Sequence, residues 1–221
     1  MTTPIAAIVG VGPGIGLAVA RRFAKGGMDL ALISRDMGPL EGFRDTLAPI
    51  GGKVHLYECD AGEHVPLAKV FQEIREHQGT PDALVYNASV MKEVPASRVS
   101  PEGLAREFRT NCLGALVSAH EVLPGMRKRG RGSILFTGGG LALKPHHKLA
   151  SLSIGKGAVR TLALMLAEEL EPEGIHVATV TVDGFVQPGT RLDPDTIAEE
   201  FWKLHRQPPG AWTREVVLSQ G

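Results

Sequence analysis

The stretch Ile5–Arg22, IAAIVGVGPGIGLAVARR, constrains the fold of this chain more than any other. It reads as a buried strand over Ile5–Val11, a glycine-rich turn and the first turns of a helix. Gly10, Gly12, Gly14 and Gly16 punctuate the turn. A backbone without Cβ atoms turns tightly and lets a ligand approach its N–H groups. The helix that follows aims its positive N-terminal end at the same spot. A nucleotide pyrophosphate suits such a turn, whereas a glycine-rich strand–helix turn that binds nothing is the bland reading. The placement between a strand and a helix favours the pyrophosphate.

The chain has 221 residues, of which 43% are hydrophobic and 22% charged, an ordinary globular composition. A chain of this length buries roughly 70% of its unfolded surface and needs no disulfide or metal staple. Lys plus Arg equals Asp plus Glu at 24 each, so net charge gives no reason to invoke nucleic acid or an anionic membrane. The cluster Arg127–Arg131 (RKRGR) reads as a solvated helix end. The two cysteines, Cys59 and Cys112, stand apart and in no metal-type spacing, so they are expected to be reduced and buried, and no metal site is expected. The N-terminus has no basic leader and no apolar run is long enough to span a bilayer, so a cytoplasmic protein is expected.

Strands and helices alternate along the rest of the chain. A helix over Gly14–Lys25 is followed by a strand at Asp29–Ser34. In a dinucleotide fold, an acidic residue at the end of that strand binds the ribose 2′-OH and selects NAD. Here the residues are Ser34 and Arg35, a hydroxyl and a guanidinium that suit a 2′-phosphate, so NADP(H) is favoured over NAD(H). A helix at Met37–Ala48, a strand at Lys53–Glu58 and a helix at Glu63–His77 come next. A strand at Asp82–Tyr86 ends in Asn87-Ala88-Ser89. A helical stretch over Pro101–Arg129 carries Asn111, with Pro124 and Gly125 as the expected kink or break. The remaining expectations are strands at Ser133–Thr137, Ile175–Val182 and Glu215–Leu218, and helices at Ser151–Leu170 and Asp193–His205. Continuously apolar strands between helices imply a parallel sheet covered on both faces. The expectation is a single-domain α/β fold over 1–221, a Rossmann-type doubly wound sheet of about seven strands.

These residues resemble the short-chain dehydrogenase/reductase family over essentially the whole chain. Gly10-x3-Gly14-Ile15-Gly16 is similar to the family's glycine motif, and Asp60-Ala61 follows strand three where the family has an adenine-contacting aspartate. Asn87-Ala88-Ser89 is similar to the Asn-Ala-Gly motif, with serine in place of the glycine. Asn111 and Lys156 fall where the family has its helix asparagine and active-site lysine. The resemblance implies NAD(P)(H) bound outside the carboxyl ends of the strands, with Gly184 and Val186 near the nicotinamide. It implies a small-molecule substrate and a homodimer or homotetramer built on two long helices.

In such enzymes a tyrosine four residues before the lysine gives the proton, a serine thirteen residues earlier binds the carbonyl, and the asparagine supports a proton-relay water. Hydride transfer to a carbonyl leaves an alkoxide that must be stabilised and protonated. This chain departs from the pattern there, with Leu152 four residues before Lys156 and Gly139 thirteen before that. Its only tyrosines, Tyr57 and Tyr86, lie on strands three and four. Pro145 keeps the family's loop length, while Asp183-Gly184 replaces Pro-Gly and Pro188 replaces the expected threonine. His146, His147 or Ser153 could replace the acid, as could water; without a tyrosine, Lys156 could remain a cofactor binder. Two readings lead, an NADP(H)-dependent oxidoreductase with a non-standard proton donor and a catalytically silent cofactor-binding protein; a third and lesser one turns the fold to cofactor-independent chemistry or scaffolding. The segment Arg191–Trp212, with Phe201, Trp202 and Trp212, is expected to lid the substrate pocket or to pack in the core.

Overall fold

The structure, a computed structural model, describes residues 3–220. Seven strands form one parallel sheet in the order β3-β2-β1-β4-β5-β6-β7. They are β1 (Ile5–Val9), β2 (Asp29–Ser34), β3 (Val54–Glu58), β4 (Ala83–Tyr86), β5 (Gly132–Gly139), β6 (Ile175–Asp183) and β7 (Glu215–Ser219). The helices are α1 (Ile15–Lys25), α2 (Met37–Leu47), α3 (His64–His77), α4 (Pro101–Phe108), α5 (Gly114–Arg129), α6 (Ala150–Leu170) and α7 (Pro194–Arg206).

The strand sequence dictates two cores. Alternate side chains of a strand point to opposite faces, so Ala7 and Val9 of β1 enter one cluster with α3, α5 and α6. Ala6 and Ile8 enter the other, with α1, α2 and α7. All five β1 side chains are buried, as a parallel sheet covered on both faces requires. Strand order reverses direction between β1 and β4, and this switch opens a crevice above the carboxyl ends of the strands.

Three expectations change. Pro124 lies inside α5 without breaking it; it is exposed, as is His120, whose carbonyl loses the i→i−4 partner. The interruption falls earlier, in a π-helical turn at Arg109–Leu113 that carries Asn111. Such one-turn widenings recur at functional sites. β5 runs two residues further than its apolar core suggests, because Gly138 and Gly139 pair with Thr181 and Val182. Finally, the helix at Glu63–His77 has apolar residues at Val65, Leu67, Val70, Phe71 and Ile74, a pattern that predicts all five buried, yet Val65 on α3 is 69% exposed and belongs to neither core.

The aromatic residues of α7 and the segment after it form no lid. Phe201 is fully buried in the core, and Trp202 packs edge-on against Phe23 of α1, with the Arg22 guanidinium over its ring. Gly26 leaves the space that Trp202 occupies, since a Cβ there would run into the indole. Trp212 stacks flat on buried His176. The α1–α7 contact is closed at its edge by the Arg22–Glu199 and Arg21–Asp195 ion pairs.

Among the described residues, no helix is long and apolar enough to cross a membrane and no cluster of three metal-ligating side chains exists. Cys59 and Cys112 are free thiols, both buried. Part of the basic cluster is neutralised locally, with Arg127 paired to Glu173 and Arg129 bonded to the carbonyls of Thr80 and Pro81.

Candidate functional site

A cavity of about 1100 Å³ runs along the carboxyl ends of the strands from Arg35 and Asp60 at one end to Leu152 and Lys156 at the other. Its size lies just above the usual range of small-molecule sites. The turn after β1 forms its floor. Gly10 has φ +86°, and a Cβ there would run into the Ala88 backbone. A Cβ on Gly16 would sit 2.8 Å from the Gly10 carbonyl oxygen. These two glycines are required by packing. Gly12 and Gly14 are different, since a Cβ on either would meet nothing within 4 Å. Both line the cavity, as does Ile15 at the start of α1, whose N-terminus has no side-chain cap. The backbone donors of that turn and the helix dipole therefore face open space suited to an anion.

The walls are tied together by Asn87. Its Nδ2 donates to the Gly10 carbonyl at 2.8 Å, and its Oδ1 accepts from the Thr137 hydroxyl at 2.9 Å. One side chain thus joins the ends of β1, β4 and β5, with Ala88 packed beneath Gly10. At the Arg35 end, Ser34 is half-buried and Arg35 is exposed, with no ion-pair partner among the described residues. Asp60 spends Oδ1 on the Gly62 amide at 2.8 Å, and Ala61 is buried beside it.

The opposite end holds Lys156. Its stem lies across Gly139, where a Cβ would touch the lysine carbons at an ordinary 3.4 Å. Its Nζ donates to the Thr137 carbonyl oxygen at 2.7 Å. Burial lowers its pKa from 10.5 to about 8. Leu152, one helical turn earlier, lines the cavity with Gly139, so the two positions without a proton to give face the site directly. Gly184 and Val186 close the rim after β6, with Phe185 between them 85% exposed.

The candidate donors separate. Ser153 is turned from the cavity: its Oγ accepts from the His146 amide at 3.1 Å and pins the loop before α6. His147 stacks on His146 but does not line the cavity, whereas His146 stands exposed at its rim. Asn111 is buried outside the cavity and clamps the loop after β4, with Oδ1 accepting from the Val90 amide at 2.7 Å and Nδ2 donating to its carbonyl at 3.0 Å. It positions that wall, with one amide N–H and the oxygen engaged on Val90. Val90 and Met91, which this clamp holds at the cavity, carried no motif to mark them, nor did Phe185.

The lowered pKa of Lys156 fixes a sign for stability. Below about pH 8 the lysine is charged in both the folded and unfolded chain, and the folded state bears the full cost of burying it. Between about 8 and 10.5 the folded chain releases the proton first, so the unfolded chain binds more protons and stability rises with pH. Discounted for partial exposure, the stability difference between Lys156→Met and wild type shifts by about 2 kcal/mol toward wild type from about pH 7 to pH 10.5. Denaturant unfolding at the two pH values measures it; an unchanged difference contradicts the buried cation.

A sequence profile of the short chain dehydrogenase family matches residues 4–194. A curated relative, a 3-oxoacyl-[acyl-carrier-protein] reductase of Bos taurus, is 31% identical over 189 residues, covering 86% of this chain and 78% of the relative. The fold is similar to that of a metagenomic short-chain oxidoreductase crystallised with NADP, at a TM-score of 0.91 and 24% identity over 100% of this chain and 98% of the other. It is also similar to an NADPH-bound short chain oxidoreductase from Pseudomonas aeruginosa PAO1 containing an atypical catalytic center, at a TM-score of 0.88 and 20% identity over 100% of this chain and 98% of the other.

Proposed function

The chain belongs to the short-chain dehydrogenase/reductase family, and from that premise we propose that it is an NADP(H)-dependent oxidoreductase acting on a carbonyl or alcohol with a non-standard proton donor. One observation carries the reading: a single cavity joins the cation at Arg35, the open glycines Gly12 and Gly14, and the ammonium of Lys156. That order matches the order of groups along NADP(H), which are adenosine 2′-phosphate, pyrophosphate and nicotinamide ribose. Ser34 and Arg35 would hold the 2′-phosphate, and Asp60 and Ala61 would border the adenine. Gly10, Gly14, Ile15 and Gly16 would shape the pyrophosphate turn, with Asn87 and Ala88 behind it. Gly184, Val186 and Lys156 would border the nicotinamide end. The group supplies or accepts a hydride when bound.

The substrate end is walled by Val90, Met91, Leu149, Leu152 and Phe185, which supports a substrate with an apolar body beside its carbonyl. Exposed Ile154 and Met165 on α6 are consistent with assembly into a homodimer or homotetramer.

The test is incubation of the protein with NADPH and a panel of aldehydes and ketones. The reading expects NADPH consumption with at least one of them. Tight NADPH binding with no consumption across the panel would instead favour a catalytically silent cofactor-binding protein. The specific observation behind that second reading is that Gly139 and Leu152 both face the site without a proton to donate.

A further inference from the structure

We propose that Lys156 itself is the general acid of this site, giving its proton to the carbonyl oxygen as hydride arrives. The assignment rests on the oxidoreductase reading above and goes beyond cofactor binding by that residue.

The geometry eliminates most alternatives. The carboxyl end of β5 and the first two turns of α6 present Thr137, Gly139, Leu152 and Lys156 to the cavity. Thr137 has committed its hydroxyl proton to Asn87. Gly139 and Leu152 have none to give. Ser151 and Ser153 are buried and do not line the cavity, and Ser153 is bonded to the His146 backbone. Lys156 is therefore the one side chain of that wall that carries a transferable proton into the cavity and is not bonded to another side chain. Its single hydrogen bond goes to the Thr137 carbonyl oxygen, which accepts one of three N–H protons and fixes the direction of the ammonium. A serine at Gly139 or a tyrosine at Leu152 would stand between Lys156 and a substrate; their absence opens that path.

The other ionisable side chains lining this end are Lys144 and His146 on the loop before α6 and Asp183 at the end of β6. Lys144 and His146 are exposed. The Asp183 carboxylate rests against Gly140, where a Cβ would run into it. Burial, the cause that lowers the affinity of Lys156 for its proton, also places it near the working range of a general acid.

The step balances as follows. The carbonyl carbon takes a hydride, the carbon–oxygen π bond breaks, and the oxygen takes a proton from Nζ. The carbonyl is reduced to an alcohol, the reduced nicotinamide is oxidised, and Lys156 is left as the neutral amine. Water at the open mouth beside His146 restores its proton. In the reverse direction the neutral amine is the base.

The experiment compares wild type, Lys156→Arg, Lys156→Met and His146→Ala. NADPH affinity is measured by calorimetry, kcat and KM for a ketone are measured across pH, and the lysine Cε/Nζ signal lost in Lys156→Arg is followed by NMR in cofactor-free protein. The proposal expects wild-type kcat for reduction to be level at low pH and to fall above about pH 8. The NMR signal should titrate over the same range. Lys156→Arg keeps a cation for the cofactor but does not release its proton there, so its NADPH affinity should stay within about threefold while kcat falls at least about tenfold, the lower side of general acid catalysis. Lys156→Met should lose both. Normal kcat in Lys156→Arg overturns the proposal. So does an alkaline limb that vanishes in His146→Ala and persists in Lys156→Arg, or a lysine signal that titrates at its ordinary value. Wild-type protein that binds NADPH without turnover overturns the acid assignment and the oxidoreductase reading together. Failure to bind NADPH overturns the cofactor reading, whatever the lysine signal does.

Discussion

Replacing Arg35 by Ala weakens NADPH binding about 10- to 100-fold and changes NADH binding by less than about threefold. The reason is local. Arg35 stands at the carboxyl end of β2, exposed at the cavity edge, with no ion-pair partner among the described residues. A guanidinium without a carboxylate partner is free to make a charge-assisted, bidentate contact with a phosphate. A hydrogen bond to a charged group contributes about 1.5–3 kcal/mol, and each 1.4 kcal/mol is tenfold in affinity. NADH has no 2′-phosphate, so the same change removes little from it. Titration of wild type and Arg35→Ala with both cofactors reads the effect directly. An equal loss for both cofactors would make Arg35 a general determinant of the cavity edge and remove the basis for preferring NADP(H).

The second large effect is a gain. Gly139→Ser together with Leu152→Tyr raises kcat for ketone reduction at least about tenfold, since a well-placed acid contributes about 10²–10⁴-fold and Lys156 already supplies part of that. Both positions border the cavity. A Cβ at Gly139 makes only ordinary contact with the Lys156 stem at 3.4 Å. Leu152 lines the cavity, so the larger ring extends into open space rather than into the core. A phenol there lies on the same helix face as Lys156 and one turn before it, where the ammonium favours ionisation. Steady-state kinetics on the single and double variants check the gain. A loss of activity in the double variant would mean that the cavity is shaped around Leu152 and Gly139 for a substrate the added groups displace.

The fold was legible because its strongest signals are local. The strand–glycine–helix pattern of Ile5–Arg22 and the continuously apolar strands imply a parallel sheet, and every expected strand and helix exists. What the sequence concealed has physical causes. Pro124 signals a break, yet it sits on the exposed side of α5, where the carbonyl left without its partner belongs to exposed His120. The π turn at Arg109–Leu113 has no breaker residue to announce it. Gly138 and Gly139 have poor strand propensity, but pairing with β6 holds them extended. Phe201, Trp202 and Trp212 are large aromatics that suit a core as well as a lid, and only the space above Gly26 and the ring of His176 decide for the core.

The cavity lining was likewise legible, because glycines with special conformations and a charge at a strand end leave direct marks. The residues named for it from Gly10 to Val186 all line one cavity. The opposite end was readable only as two departures, at Gly139 and Leu152. That Ser153 is turned to the His146 backbone, or that Asn111 is spent on both polar groups of Val90, depends on loop paths that no spacing encodes.

The central claim is that one dinucleotide spans this cavity from Arg35 to Lys156. A crystal structure of the protein with NADPH tests it most directly. The account predicts the 2′-phosphate on the Arg35 guanidinium, the pyrophosphate over Gly12–Ile15 and an ordered nicotinamide ribose within hydrogen-bond distance of Lys156 Nζ. A dinucleotide bound with its phosphates away from that turn, or crystals grown at saturating NADPH with none in the cavity, would contradict it.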